Sequence, residues 1–182
     1  MPVTRVIVLY GIIGGLIVAT PFVWPMVTLK PGAAPDLGGL VSGYLTMIVA
    51  LTTVFLGIKH YRDKALGGVI RFVPALLVGL GISAVASVIY AVGWEIALAT
   101  SGFDFGAFYG NLMIKAARAK GVSPAELQKV TAEAEAFMKN YASPLYRFPM
   151  TFIEIFPVGV LISLISAALL RNPRVLPARA SA

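Results

Sequence analysis

Four stretches of this chain, about Val6–Thr28, Gly38–Ile58, Phe72–Ala99 and Pro149–Leu170, run on with almost no charge. An apolar run of roughly 20 residues matches the hydrocarbon thickness of a bilayer when it is helical. A spanning segment must satisfy its own backbone, so it is either a helix or part of a closed barrel. Barrel strands are short and alternate in polarity, whereas these runs are continuous, which selects helices. The balance of the chain agrees: 58% of its residues are hydrophobic and 13% are charged. Soluble domains carry roughly 25% charged residues, and disordered chains are far less hydrophobic. The expected fold is therefore all-α: a polytopic membrane protein forming one domain over residues 1–182, with four transmembrane helices. The first run begins like a secretion signal, with Arg5 ahead of Val6–Ala19. It continues beyond a signal's length and meets no small-x-small cleavage site, so an uncleaved span is expected.

Orientation follows from the placement of Lys and Arg. Arg5, the connection carrying Lys59, Arg62, Lys64 and Arg71, and the tail carrying Arg171, Arg174 and Arg179 fall on one side of a four-span path. The short first connection has Lys30, and the long third connection mixes bases with Asp104, Glu126, Glu133 and Glu135. Short basic loops face the cytoplasm, so both termini are expected there, in a bacterial inner membrane. The net charge of +7 is thus an orientation device, and nucleic acid is not an expected partner. The tail is expected to be a short, frayed anchor facing anionic lipid.

Small residues show how the spans pack. Gly11 and Gly15 are four apart, as are Gly79, Ser83, Ser87 and Ala91, and Gly159, Ser163 and Ala167. Such ridges let helices approach closely in lipid, within one chain or between copies. Pro21, Pro25 and Pro157 should kink or break their helices. Residues 101–148 are too polar to span. Phe105, Phe108, Tyr109, Leu112, Met113 and Ala116 form one helical stripe. Ser123-Pro124-Ala125-Glu126 reads as a capped helix start, and Leu127, Val130, Ala134, Phe137, Met138 and Tyr141 form a second stripe. An amphipathic, extracytoplasmic helical hairpin is expected between helices 3 and 4, as a lid or as a docking surface.

Two acids interrupt the apolar runs. Glu95 lies 23 residues after Phe72, about 35 Å along a helix. Glu154 lies five residues after Pro149, about 8 Å into a helix entering from the other side. Both belong near the outer boundary. An intramembrane carboxylate marks a functional site by default: two close ones share a proton or hold a hard cation. The plainer reading is a polar anchor, with Glu95 bonded to Tyr90, Trp94 or a serine, and Glu154 paired with Arg147. A second cluster, Lys59-His60-Tyr61-Arg62-Asp63, ends the second span. Tyr61 suits the interface, Arg62 and Asp63 can tie the loop to helix ends, and His60 with Asp63 is a weak metal-ligand pair.

Gly57-Ile-Lys-His-Tyr-Arg-Asp63, Gly93-Trp-Glu-Ile96 and Thr151-Phe-Ile-Glu-Ile-Phe-Pro-Val-Gly159 together resemble an uncharacterised bacterial membrane family, domain of unknown function 4199. The resemblance runs from about Arg5 to Leu170. It implies a four-span bacterial protein with a long third connection, and it brings no activity, substrate or cofactor.

With no cysteine and one histidine, thiolate sites and His-rich metal centres within one chain are excluded. No cofactor is expected. The leading expectation is a non-enzymatic structural or interaction protein whose partners are the bilayer and a second copy or another membrane protein. A small transporter or proton- or cation-binding protein using Glu95 and Glu154 comes second, and a membrane-embedded enzyme last.

Overall fold

The computed structural model describes residues 1–28 and 40–178. Lys30, Arg179 and the expected start of the second span at Gly38 lie outside them. Six helices follow in order: α1 Val3–Val27, α2 Leu40–Ala65, α3 Phe72–Ser101, α4 Phe105–Ala119, α5 Pro124–Tyr141 and α6 Pro144–Leu170. No strand occurs among the described residues. Four of the helices, α1, α2 from Gly43 onward, α3 and α6, are long and apolar enough to cross a membrane.

The small-residue ridges set how these four pack. A Cβ added at Gly15 would lie 2.6 Å from the Ile89 Cβ, so α1 meets α3 at a glycine that leaves room for a branched side chain. Gly11 accommodates Val85 in the same way, and the ascending order on both helices makes α1 and α3 parallel. Tyr10 meets Gly57, and Gly14 meets Thr53, so α2 runs antiparallel to α1. Between α3 and α6 the close approach is mutual: Gly79 faces Ser163, and Gly159 faces Ser83. The two serine hydroxyls are 3.2 Å apart, and the Ser163 hydroxyl also donates to the Gly159 carbonyl at 2.7 Å. Ser83, Ser87, Ala91, Ser163 and Ala167 are all buried, so within this chain the ridges serve packing between its own helices. Large apolar side chains instead lie exposed on the outside, among them Leu16, Val49, Leu77 and Leu161. An apolar exterior around a small-residue interior is what a bundle solvated by lipid tails needs.

One end of the bundle therefore gathers the start of α1, the α2–α3 connection and the end of α6. The opposite end carries α4 and α5. At the first end the chain turns from α2 into α3 through Gly67 (φ 65°) and Gly68 (φ 92°), left-handed positions that suit glycine.

Several local expectations change. α1 passes Pro21 and Pro25 unbroken, and α6 passes Pro149 and Pro157 unbroken. Each proline removes one backbone donor, and neighbouring helices hold the remaining turns in place. α6 begins at Pro144, five residues before the expected Pro149, because Ser143-Pro144 starts a helix and Pro fits its first turn. Arg147 is thereby a helix residue. α2 likewise continues through Lys59–Lys64 to Ala65.

α4 and α5 pack on one another, but not as the first stripe suggests. The buried positions of α4 are Gly106, Gly110 and Ala117; the stripe residues Tyr109 and Leu112 stay exposed. The glycines decide this, since Gly110 leaves space into which the Met138 side chain of α5 packs. The α5 stripe does face inward, with Ala134 and Tyr141 buried. Asp104 caps α4 by accepting from the Ala107 amide at 2.9 Å, and Ser123 caps α5 by accepting from the Glu126 amide at 3.3 Å.

Candidate functional site

Where α3 ends and α6 begins, Arg147 and Glu95 form a two-pronged ion pair. Nη2 donates to Oε2 at 2.5 Å and Nε to Oε1 at 2.9 Å. The side chains are 16% and 23% exposed, respectively, so the pair is largely shielded from solvent. Nη1 also donates to the backbone carbonyls of Tyr141 at 3.0 Å and Ala142 at 3.3 Å. One guanidinium thus joins the end of α3, the end of α5 and the first turns of α6. The planar fork of arginine makes such bidentate contacts, which a lysine would not.

Tyr141 lies beneath this pair. Its hydroxyl accepts a hydrogen bond from Trp94 Nε1 at 2.9 Å, and the Arg147 guanidinium sits 5.8 Å from its ring centre. Burial pushes its phenol up to about 12. Rings surround it: Phe105 is edge-on to Trp94 at 5.2 Å, and Phe137 lies 5.1 Å from Tyr141. α4 and α5 are thereby fastened to α3 by aromatic packing and one indole hydrogen bond.

The expected pairings are corrected here. Arg147 binds Glu95 and not Glu154, because the earlier start of α6 places the guanidinium opposite the last turns of α3. Glu95 bonds neither Tyr90 nor Trp94; Trp94 has Tyr141 as its partner. Glu95 and Glu154 make no hydrogen bond to each other and share no hydrogen-bond partner among the described residues. Nine residues separate Glu154 from the buried Ser163, about two and a half helical turns, so in the unbroken α6 the two point to opposite sides. Glu154 is exposed and lines a cleft of about 470 Å³ bounded by all six helices. Among the described residues it has no hydrogen-bond or ion-pair partner.

The second cluster is built around Arg62. Its side chain is 0% exposed. Nε donates to Asp63 Oδ1 at 2.7 Å, Nη1 to the carbonyls of Leu170 at 3.4 Å and Val175 at 2.9 Å, and Nη2 to the Leu176 carbonyl at 2.5 Å. Lys59 also bonds Asp63. The guanidinium sits at the C-terminus of α6, where carbonyls lack helical partners and a cation is favoured. The tail, expected to fray, is instead held through its carbonyls as far as Leu176, a non-glycine residue with a φ of 46°. His60 Nδ1 lies 3.2 Å from the Tyr10 hydroxyl, and Tyr61 packs at the edge of the core. No group of three or more metal-ligating residues occurs among the described residues.

Tyr141 was legible only as one more apolar position of α5. The signal for its polar role is faint: a buried Trp94 needs an acceptor for its N–H. The role of the tail carbonyls has no sequence signal, since every residue has a carbonyl.

The family model described as "Protein of unknown function (DUF4199)" matches residues 9–172. No curated protein and no solved structure matches the chain. The chain belongs to the DUF4199 family.

Proposed function

We propose that this DUF4199 protein is a multi-pass protein of a bacterial inner membrane with a structural or accessory role, presenting the α4–α5 pair outside the membrane to a partner. Both termini and the Arg62 cluster lie on the cytoplasmic side in this reading. The supporting observation is the Arg147–Glu95 pair. An ion-carrying site built on both acids needs them to share a proton or a cation, but Glu95 is already neutralised by an arginine that also grips two carbonyls. Such an arrangement fixes the angle between the α4–α5 pair and the bundle. The exposed Tyr109 and Leu112 then form a rigid apolar face for a second copy or another membrane protein.

Reporter fusions test the orientation: at residue 120 and at the C-terminus they should report opposite sides of the membrane, and the same side would overturn it. Crosslinking from position 112 in intact membranes tests the role. A discrete crosslinked species is expected, and recovery of the monomer alone would refute the interaction.

A further inference from the structure

The acid that the ion pair leaves out lies in a cleft suited to a ligand. The cleft of about 470 Å³ has the size of a small-molecule site. Its walls are rings from five helices, including Phe22, Tyr90, Trp94, Phe105 and Tyr141, and among the described residues its one charged lining group is Glu154. No Lys, Arg or His lines it among the described residues. The Tyr90 hydroxyl, like the Glu154 carboxylate, has no hydrogen-bond partner among the described residues. Arg147, the nearest base on α6, is engaged by Glu95 and lines a separate hollow that Tyr141 also borders.

We propose that this cleft binds an organic ammonium ion with an apolar body, with Glu154 as its counter-ion and the rings of Tyr90, Trp94 and Phe105 as its cation–π wall. The chemistry of the walls excludes the alternatives in turn. A hard metal ion takes six or more oxygens, drawn from carboxylates, carbonyls and waters, and this lining offers one carboxylate beside neutral tyrosine phenols and Thr151. An anion would meet an uncompensated acid. A neutral apolar molecule would desolvate the carboxylate without pairing it, which is costly. A cation with an apolar body satisfies both the acid and the rings, because ring faces attract cations most strongly when water is excluded. The ethanolamine headgroup of a phospholipid carries the same ammonium, but its phosphate would approach Glu154 with no base among the described lining residues to receive it. A free amine or quaternary ammonium is therefore the better fit. This site goes beyond the accessory role and does not depend on orientation, since binding is measurable in detergent.

The chain contains two tryptophans, Trp94 in the cleft wall and Trp24, which is 67% exposed. Trp24→Phe leaves Trp94 as the reporter. In neutral detergent, titration with benzyltrimethylammonium should change its emission saturably. The neutral carbon isostere neopentylbenzene should bind about tenfold more weakly or worse, a comparison made in the same folded chain. Glu154→Gln should weaken benzyltrimethylammonium binding about tenfold or more, and Glu154→Asp should keep most of it. Titration in lipid discs identifies the natural source: unchanged affinity with phosphatidylethanolamine in place of phosphatidylglycerol supports a free ammonium ion, and competition by phosphatidylethanolamine supports the headgroup ammonium. Equal binding of the isostere, full affinity in a folded Glu154→Gln, or no saturable signal up to millimolar ligand would overturn the proposal.

Discussion

Each end of the bundle is closed by one arginine, and the two do so under different conditions. Arg62 is fully enclosed, with an acid next to it in sequence and backbone carbonyls from a segment more than a hundred residues away. Arg147 is partly exposed, and its acid, Glu95, comes from another helix. At the first end the charge is neutralised locally and the long-range ties are to backbone. At the second the neutralisation is itself the long-range tie. The first arrangement fastens a tail whose side chains hardly matter; the second specifies which helix ends meet.

The comparison can be broken most severely at Arg62. Arg62→Ala should cost about 3–5 kcal/mol, because it empties a fully enclosed site and strips several carbonyls of their donor, while the half-buried Asp63 keeps Lys59. Thermal melts in detergent should show the loss, and limited proteolysis should cut near residue 175. A tail that stays protected would mean that something other than Arg62 holds it. Gly159→Ala comes next and acts between the ends. The new Cβ would lie 2.6 Å from the Ser83 Cβ, so overpacking should cost about 1–3 kcal/mol and loosen both ends alike. Proteolysis confined to one end would show that the ends unfold independently.

Glu95→Gln should cost about 1–2 kcal/mol, less than Arg62→Ala, because the pair is partly exposed. A double-mutant cycle with Arg147→Gln should give a coupling energy of the same order, and a coupling near zero would reduce the pair to a surface contact. Tyr141→Phe should have the smallest effect, about 1 kcal/mol, by removing the acceptor of Trp94 Nε1. The pH dependence has a definite sign. The Tyr141 phenol is raised by burial from 10.0 to about 12, so the folded state holds its proton when the unfolded chain has released it. Stability from this group is complete below pH 10 and falls as pH rises toward about 12. Ultraviolet titration should show a tyrosinate appearing near pH 12, and that step should vanish in Tyr141→Phe.

The legible parts were those written in periodicity and composition. The ridge Gly79–Ser83–Ser87–Ala91 and its counterpart Gly159–Ser163–Ala167 could be read directly, because four-residue spacing puts small residues on one side of any helix. The stripe of α4 misled for a related reason: its largest side chains suggested the contact face, while Gly106 and Gly110 made the adjoining strip the closest surface for α5. Glu95 and Glu154 were visible as expensive acids, but their partners were not. Which one meets Arg147 depends on where α6 starts, and a shift of five residues moves a side chain about 7.5 Å along the axis and about 140° around it.

The chain's sequence by itself determined a four-helix apolar bundle with small-residue seams and a polar pair of helices between α3 and α6. Length, hydropathy and spacing act locally, so each segment carries that information without its neighbours. Only the tertiary structure decided that Arg147 takes Glu95, that Arg62 holds the tail and that Glu154 remains alone in an aromatic cleft. Those outcomes depend on helix ends meeting in space, where a turn more or less exchanges one partner for another.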